Sequence, residues 1–143
     1  MSLKQFVIHL ENSHVLAQIG KAFGKWGIDI VSMAGTTAFG VCTAVLFTDN
    51  EENTIKVLRE LKIPFSTQDI FVVSIPDEPG SFGHFTQLFE DQNIRVLSFY
   101  VLRFAGKVAD VAFAVDEADF EKAQSFLDAS GFLKPTKNHK KKK

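Results

Sequence analysis

Apolar and polar positions along this chain follow a pattern that is written twice. Phe6-Val-Ile-His-Leu10 and Phe71-Val-Val-Ser-Ile75 are short runs of β-branched and aromatic residues lying 65 positions apart, and each reads as a strand. A polar loop follows each run, Glu11 to His14 in the first copy and Pro76 to Gly80 in the second. Helical spacing comes next: Leu16, Ile19, Ala22, Phe23 and Trp26 recur at i, i+3, i+6, i+7 and i+10, and Phe82, Phe85, Leu88 and Phe89 hold the equivalent places 66 residues on. That stripe is the face expected to lie on a sheet.

Two more strands are expected in each half, Ile28 to Ala34 with Val41 to Phe47, and Ile94 to Leu102 with Val108 to Val115. Gly35 to Gly40 and Ala105-Gly106 read as the turns that make them hairpins. Asp49-Asn50 and Asp116 stand where helix N-caps belong, ahead of the apolar positions Ile55, Leu58 and Leu61 and their counterparts Phe120, Ala123 and Phe126. Gly131 supplies a C-terminal stop. A closing strand near Pro64 to Gln68 runs almost directly into the first strand of the second copy. Its counterpart, Phe132-Leu133, is cut short by Pro135, which cannot donate to a ladder.

Each half is therefore βαββαβ, an α+β arrangement with helices on one face of an antiparallel sheet. The expected organisation is module 1 over residues 1–68, module 2 over 69–133 and a disordered Lys-rich tail over 134–143. One module of this size buries little surface and is marginal alone. Two packed side by side in one extended sheet escape that limit.

Composition supports a folded chain: 45% of the 143 residues are hydrophobic and 15 are Phe, ample for a core. The net charge of -1 hides an asymmetry, because six Lys fall in the last ten residues. Residues 1–133 carry 10 basic and 17 acidic side chains, a net of -7. An acidic body argues against a nucleic-acid partner, since phosphate contacts need clustered Lys and Arg. The single Cys42 excludes an intrachain disulfide and, in an apolar run, reads as a buried inert thiol. The apolar stretch Phe6 to Leu10 is too short for a signal peptide or a membrane span, so no membrane partner and a cytoplasmic location are expected.

Between strand and helix of the second copy stands Asp77-Glu-Pro-Gly-Ser-Phe82, with Asn93-Ile-Arg-Val96 beginning the next strand and Ala118 to Phe132 closing the copy. In this order of parts the sequence resembles the ACT domain family. The first copy repeats it as Glu11-Asn-Ser-His-Val-Leu16, similar to the family's loop with one residue deleted and the Pro-Gly lost. The resemblance spans residues 4 to 133 and implies tandem ferredoxin-like modules that bind a small ligand, usually an amino acid, where two modules meet. It also implies regulation of a metabolic enzyme or regulator as partner, with a homodimer as a candidate assembly.

Gly80 falls at the start of a helix, where unpaired N–H groups and the positive dipole end favour an anion such as an α-carboxylate. Pro79 fixes the loop beside it. Asp77 and Glu78 are placed to meet an ammonium group, although Asp77 also reads as a simple cap of the turn. By resemblance, Asp77, Glu78, Pro79, Gly80, Ser81 and Phe82 face Asp29, and a reciprocal site pairs Asn12, Ser13 and His14 with Arg95. Asp29 and Arg95 occupy matching positions with opposite charge, as ligand-facing groups or as ordinary strand-end charges. The loss of Pro-Gly from the first copy predicts unequal sites, with Gly80 in the better one.

His9, His14, His84 and His139 show no metal-ligand spacing, and no phosphate loop or nucleophile with its base is visible. No cofactor and no catalysis are expected. The leading reading is an amino-acid-binding regulatory protein. Its competitor is a ligand-independent protein-interaction module.

Overall fold

The computed structural model describes residues 3–132, and the chain divides into two compact units, Met1–Ile70 and Phe71–Lys143. The described residues form six strands of one antiparallel sheet, which lie in the order Ile30–Ala38, Val41–Thr48, Leu3–Leu10, Phe65–Pro76, Val108–Val115, Val96–Ala105.

The first unit contains β1 (Leu3–Leu10), α1 (Ser13–Trp26), β2 (Ile30–Ala38), β3 (Val41–Thr48), α2 (Glu51–Glu60) and the leading part of β4 (Phe65–Pro76). β1 is central, with Phe6 opposite Leu46 of β3 on one side and Thr67 of β4 on the other. Because side chains alternate across a strand, Phe6, Ile8 and Leu10 share one face. There they form a core with Ile19 and Phe23 of α1 and Val57 and Leu58 of α2. Fully burying each such side chain favours folding by about 1.5–3 kcal/mol. The helix boundaries follow from the sequence: Asn12 caps α1, Gly27 ends it at φ 65°, and Asn50 caps α2 by accepting from the Asn53 amide.

The second unit repeats the plan with the rest of β4, α3 (Ser81–Asp91), β5 (Val96–Ala105), β6 (Val108–Val115), a 3-10 turn at Glu117–Asp119 and α4 (Phe120–Ser130). Phe71, Val73 and Ile75 of β4 and Phe113 of β6 meet Phe85 and Phe89 of α3 and Ala123 and Leu127 of α4. The Phe85 ring lies 5.0 Å from both Phe89 and Phe113, within the spacing at which aromatic pairs attract beyond their area. Gly131 ends α4 at φ 75°. The Ser74 amide donates to the Phe132 carbonyl at 3.2 Å; Leu133 and the Lys-rich tail lie outside the described residues.

Several boundaries depart from those expected. The separate strands Pro64 to Gln68 and Phe71 to Ile75 are one strand, β4, because no turn residue interrupts them. Gly35 belongs to β2, opposite Ala44, and the hairpin turn is only Phe39-Gly40, both with positive φ, 51° and 75°. Two successive residues in that region are the mark of a tight hairpin whose twist matches its strands. In the second unit β5 extends through Ala105 and the turn is Gly106-Lys107.

The expected helical stripe is also narrower than its spacing suggested. Leu16, Trp26 and Phe82 are 39%, 44% and 41% exposed, while Ile19, Phe23, Phe85 and Phe89 are buried. The stripe therefore leaves its first residue open in both helices, Leu16 and Phe82, and in α1 its last, Trp26, as well. Cys42 is half-buried.

Candidate functional site

The loop that follows β4 is held by its backbone. Asp77 N–H donates to the Lys107 carbonyl at 2.9 Å and Ser81 N–H to the Glu78 carbonyl at 3.2 Å. Gly80 then starts α3 with φ 90°, a conformation that side chains disfavour and glycine adopts freely. A Cβ built at Gly80 would meet nothing within 4 Å, so the residue faces open space and only its backbone angle demands glycine. No side-chain hydrogen bond caps α3; Asp77 therefore does not serve as its cap. The amides of its first turn, among them Phe82 and Gly83, have no carbonyl within the helix to bond.

Beside this helix start lies a pocket of about 380 Å³ walled by Asp77, Glu78 and Phe82 from the loop and helix and by Phe99 and Val101 from β5. Its floor is Ile75, Ala109 and Val111. Phe99 stands opposite Phe113 in the sheet register and Val101 opposite Val111, which places both on the helix-bearing face. The Phe82 and Phe99 rings are 5.1 Å apart. They also wall a second cleft of about 350 Å³ on their other side, where Glu90 and Arg95 supply the charges. Pro79, Gly80 and Ser81 complete the loop without lining either cleft.

The first unit uses the corresponding helix start differently. Asn12 Oδ1 accepts from the amides of His14 at 2.9 Å and Val15 at 3.3 Å, so the anion-seeking groups of α1 are already occupied by the chain's own side chain. Ser13 and His14 are exposed on that turn.

Asp29 and Arg95 are tied in the same way, each at the entrance of its hairpin. Asp29 N–H donates to Asp49 Oδ1 at 2.9 Å and Arg95 N–H to Asp119 Oδ2 at 2.9 Å. The Arg95 amide, then Lys122, hold the Asp119 carboxyl below the usual carboxylate range. Both Asp29 and Arg95 keep exposed side chains. Among the described residues no group of three or more His, Cys, Asp and Glu is arranged for a metal, and no helix is long and apolar enough to cross a membrane.

The family model described as "ACT domain pair" matches residues 1–139. The chain belongs to this ACT family. No curated protein matches the chain. Among solved structures it resembles a protein from Bacteroides thetaiotaomicron, at 18% identity and TM-score 0.83, over 96% of this chain and 95% of that one. It also resembles the ligand-free regulatory subunit of aspartate kinase from Thermus thermophilus, at 13% identity and TM-score 0.63, over 90% and 91%. The aspartate kinase of Clostridium acetobutylicum is similar at 14% identity and TM-score 0.60, over 90% of this chain but 32% of that one. At these identities the likeness is one of fold.

Within the second ACT unit, sequence reasoning located the loop and missed the wall that faces it. Phe99 and Val101 were legible only as members of a strand. The signal that could have found them is the alternation Phe99, Val101, which puts two large apolar groups on one face beside the loop-proximal Phe82.

Proposed function

We propose that this ACT domain pair is a non-catalytic regulatory module that binds a free amino acid at the start of α3. The observation that carries the reading is the contrast between two equivalent helices: Asn12 caps α1, whereas α3 begins at Gly80 with no side-chain cap beside a pocket walled by Asp77 and Glu78. Free amides at a helix start favour a carboxylate, and two carboxylates close by favour an ammonium. A zwitterion presents both groups a short distance apart. The second cleft, with Arg95 and Glu90 beyond Phe82, adds a further pair of opposite charges to the same end of the unit.

A thermal scan against the twenty amino acids tests the reading. A ligand at one hundred times its dissociation constant stabilises the folded state by about 2.7 kcal/mol, which raises the midpoint of a domain of this size by several degrees. No shift with any amino acid would refute the proposal.

The second reading, a protein-interaction module, draws on β5. It is an end strand of the sheet and exposes Leu97, Phe99, Val101 and Phe104, where an unpaired edge and apolar side chains invite a partner strand. Stoichiometric capture of one partner, unchanged by any amino acid, would favour it.

A further inference from the structure

The lining of the pocket beside α3 says which side chain its occupant carries. Apart from Asp77 and Glu78 at one wall, every residue that lines it is apolar or aromatic, and no Lys, Arg, His, Asn or Gln is among them. Tyr100 is part of the lining, but it stands between Phe99 and Val101 and opposite Ala112, so alternation along the strand carries its ring to the other face. The pocket therefore offers carboxylates at one end and a hydrocarbon surface at the other.

We propose that the ligand is an amino acid with a large apolar side chain, of the leucine, isoleucine or phenylalanine class, seated between Phe82, Phe99 and Val101 with its ammonium group toward Asp77 and Glu78. This rests on the amino-acid-binding reading and narrows it. An acidic side chain would meet two carboxylates and no cation, and an unpaired buried charge is costly. A lysine fares no better: Asp77 and Glu78 are adjacent on one loop, so serving its α-ammonium leaves the ε-ammonium on aromatic and aliphatic walls, and the reversed pose leaves the α-ammonium unmatched. A small side chain such as that of alanine leaves most of the apolar wall wet. The volume, about 380 Å³, falls at the lower end of the range for small-molecule pockets.

The depth of the seat is set by Phe99. Its ring is 56% exposed and, with Phe82, divides this pocket from the cleft that holds Arg95. Shortening it joins the two spaces without removing a fully buried core residue.

Titration calorimetry of the intact chain with leucine, isoleucine, phenylalanine, tryptophan, alanine, aspartate and lysine tests the inference. The expected result is that one of the first three binds at least about tenfold more tightly than alanine, aspartate or lysine, the scale on which a few methylenes discriminate. The Phe99→Ala variant is expected to weaken that ligand and to move the preference toward tryptophan. Aspartate, lysine or alanine binding as tightly as the best apolar ligand overturns the assignment of side chain while leaving amino-acid binding in place. An apolar preference that Phe99→Ala leaves unchanged overturns the placement between Phe82 and Phe99. Absence of binding by all seven, together with no thermal shift from the remaining amino acids, overturns both this inference and the reading beneath it.

Discussion

Asn12 and Gly80 stand at the starts of two equivalent helices and treat them in opposite ways. Asn12 accepts from the second and third amides of its helix turn; Gly80, in a left-handed conformation, accepts from none with a side chain. One helix start is closed by the chain itself. The other carries no side-chain cap.

Replacing the cap in the first unit therefore has a stability effect and no binding effect at α3. Asn12→Ala removes the acceptor for two amides, and loss of such a cap costs about 0.5–2 kcal/mol. Urea denaturation is expected to show a lower midpoint at unchanged slope, while the amino-acid-induced thermal shift persists at its original size. A variant that lost the shift would mean that the ligand is held at α1.

Gly80→Ala places a Cβ at φ 90° where no neighbour lies within 4 Å. The cost is then conformational and not steric, about 1–2 kcal/mol for a left-handed residue. We expect that loss in urea denaturation, with weaker ligand binding as the loop relaxes toward ordinary angles. Full stability in the alanine variant would show that the loop does not depend on glycine.

Much of this architecture is legible in the residues, and the parts that are not have local causes. The duplication shows because Ile19, Phe23, Phe85 and Phe89 must all be buried, and burial enforces periodicity. Turn positions were harder: Gly35 looks like a breaker, but opposite Ala44 its Cβ position has ordinary clearance, with the nearest atom at 3.5 Å, so a strand accommodates it. Phe39 carries the other half of the turn at φ 51°, a conformation that nothing about phenylalanine announces. At the site, Asp77 to Phe82 could be placed by strand-loop-helix order. Asn12 reaches only amides two and three residues ahead, so its use as a cap is a local signal; the use of Phe99 as a wall depends on which neighbour a side chain reaches across space, and a linear pattern does not contain that.

Two ion pairs of equal length separate exposed from buried electrostatics. Arg103 Nε to Asp110 Oδ2 and Lys56 Nζ to Glu52 Oε1 are both 2.6 Å, but the Asp110 side chain is 2% exposed and that of Glu52 is 79% exposed. Asp110 also accepts from Ser74 Oγ at 2.6 Å. Arg103→Leu is expected to cost about 1.5–3 kcal/mol, as for a hydrogen bond to a buried charge, whereas Lys56→Gln leaves the urea midpoint within error. Equal effects from the two variants would contradict the difference in burial.

Tyr100 gives a pH-dependent test with a direct optical readout, because it is the chain's single tyrosine. It is 9% exposed, its hydroxyl has no hydrogen-bond partner among the described residues, and burial pushes its pKa up from 10.0 to about 12. The folded state thus holds the phenolic proton more tightly than the unfolded state does. Its contribution to stability is complete below pH 10 and is lost as pH rises from about 10 to about 12, where the unfolded chain releases a proton that the folded chain keeps. Absorbance of tyrosinate is expected to titrate late in the folded protein and near the ordinary value in denaturant. Tyr100→Phe removes an unsatisfied hydroxyl, so at neutral pH it is expected to be neutral or slightly stabilising, and above pH 10 to decline less steeply than the parent chain. A clear destabilisation at neutral pH would show that the hydroxyl has a partner.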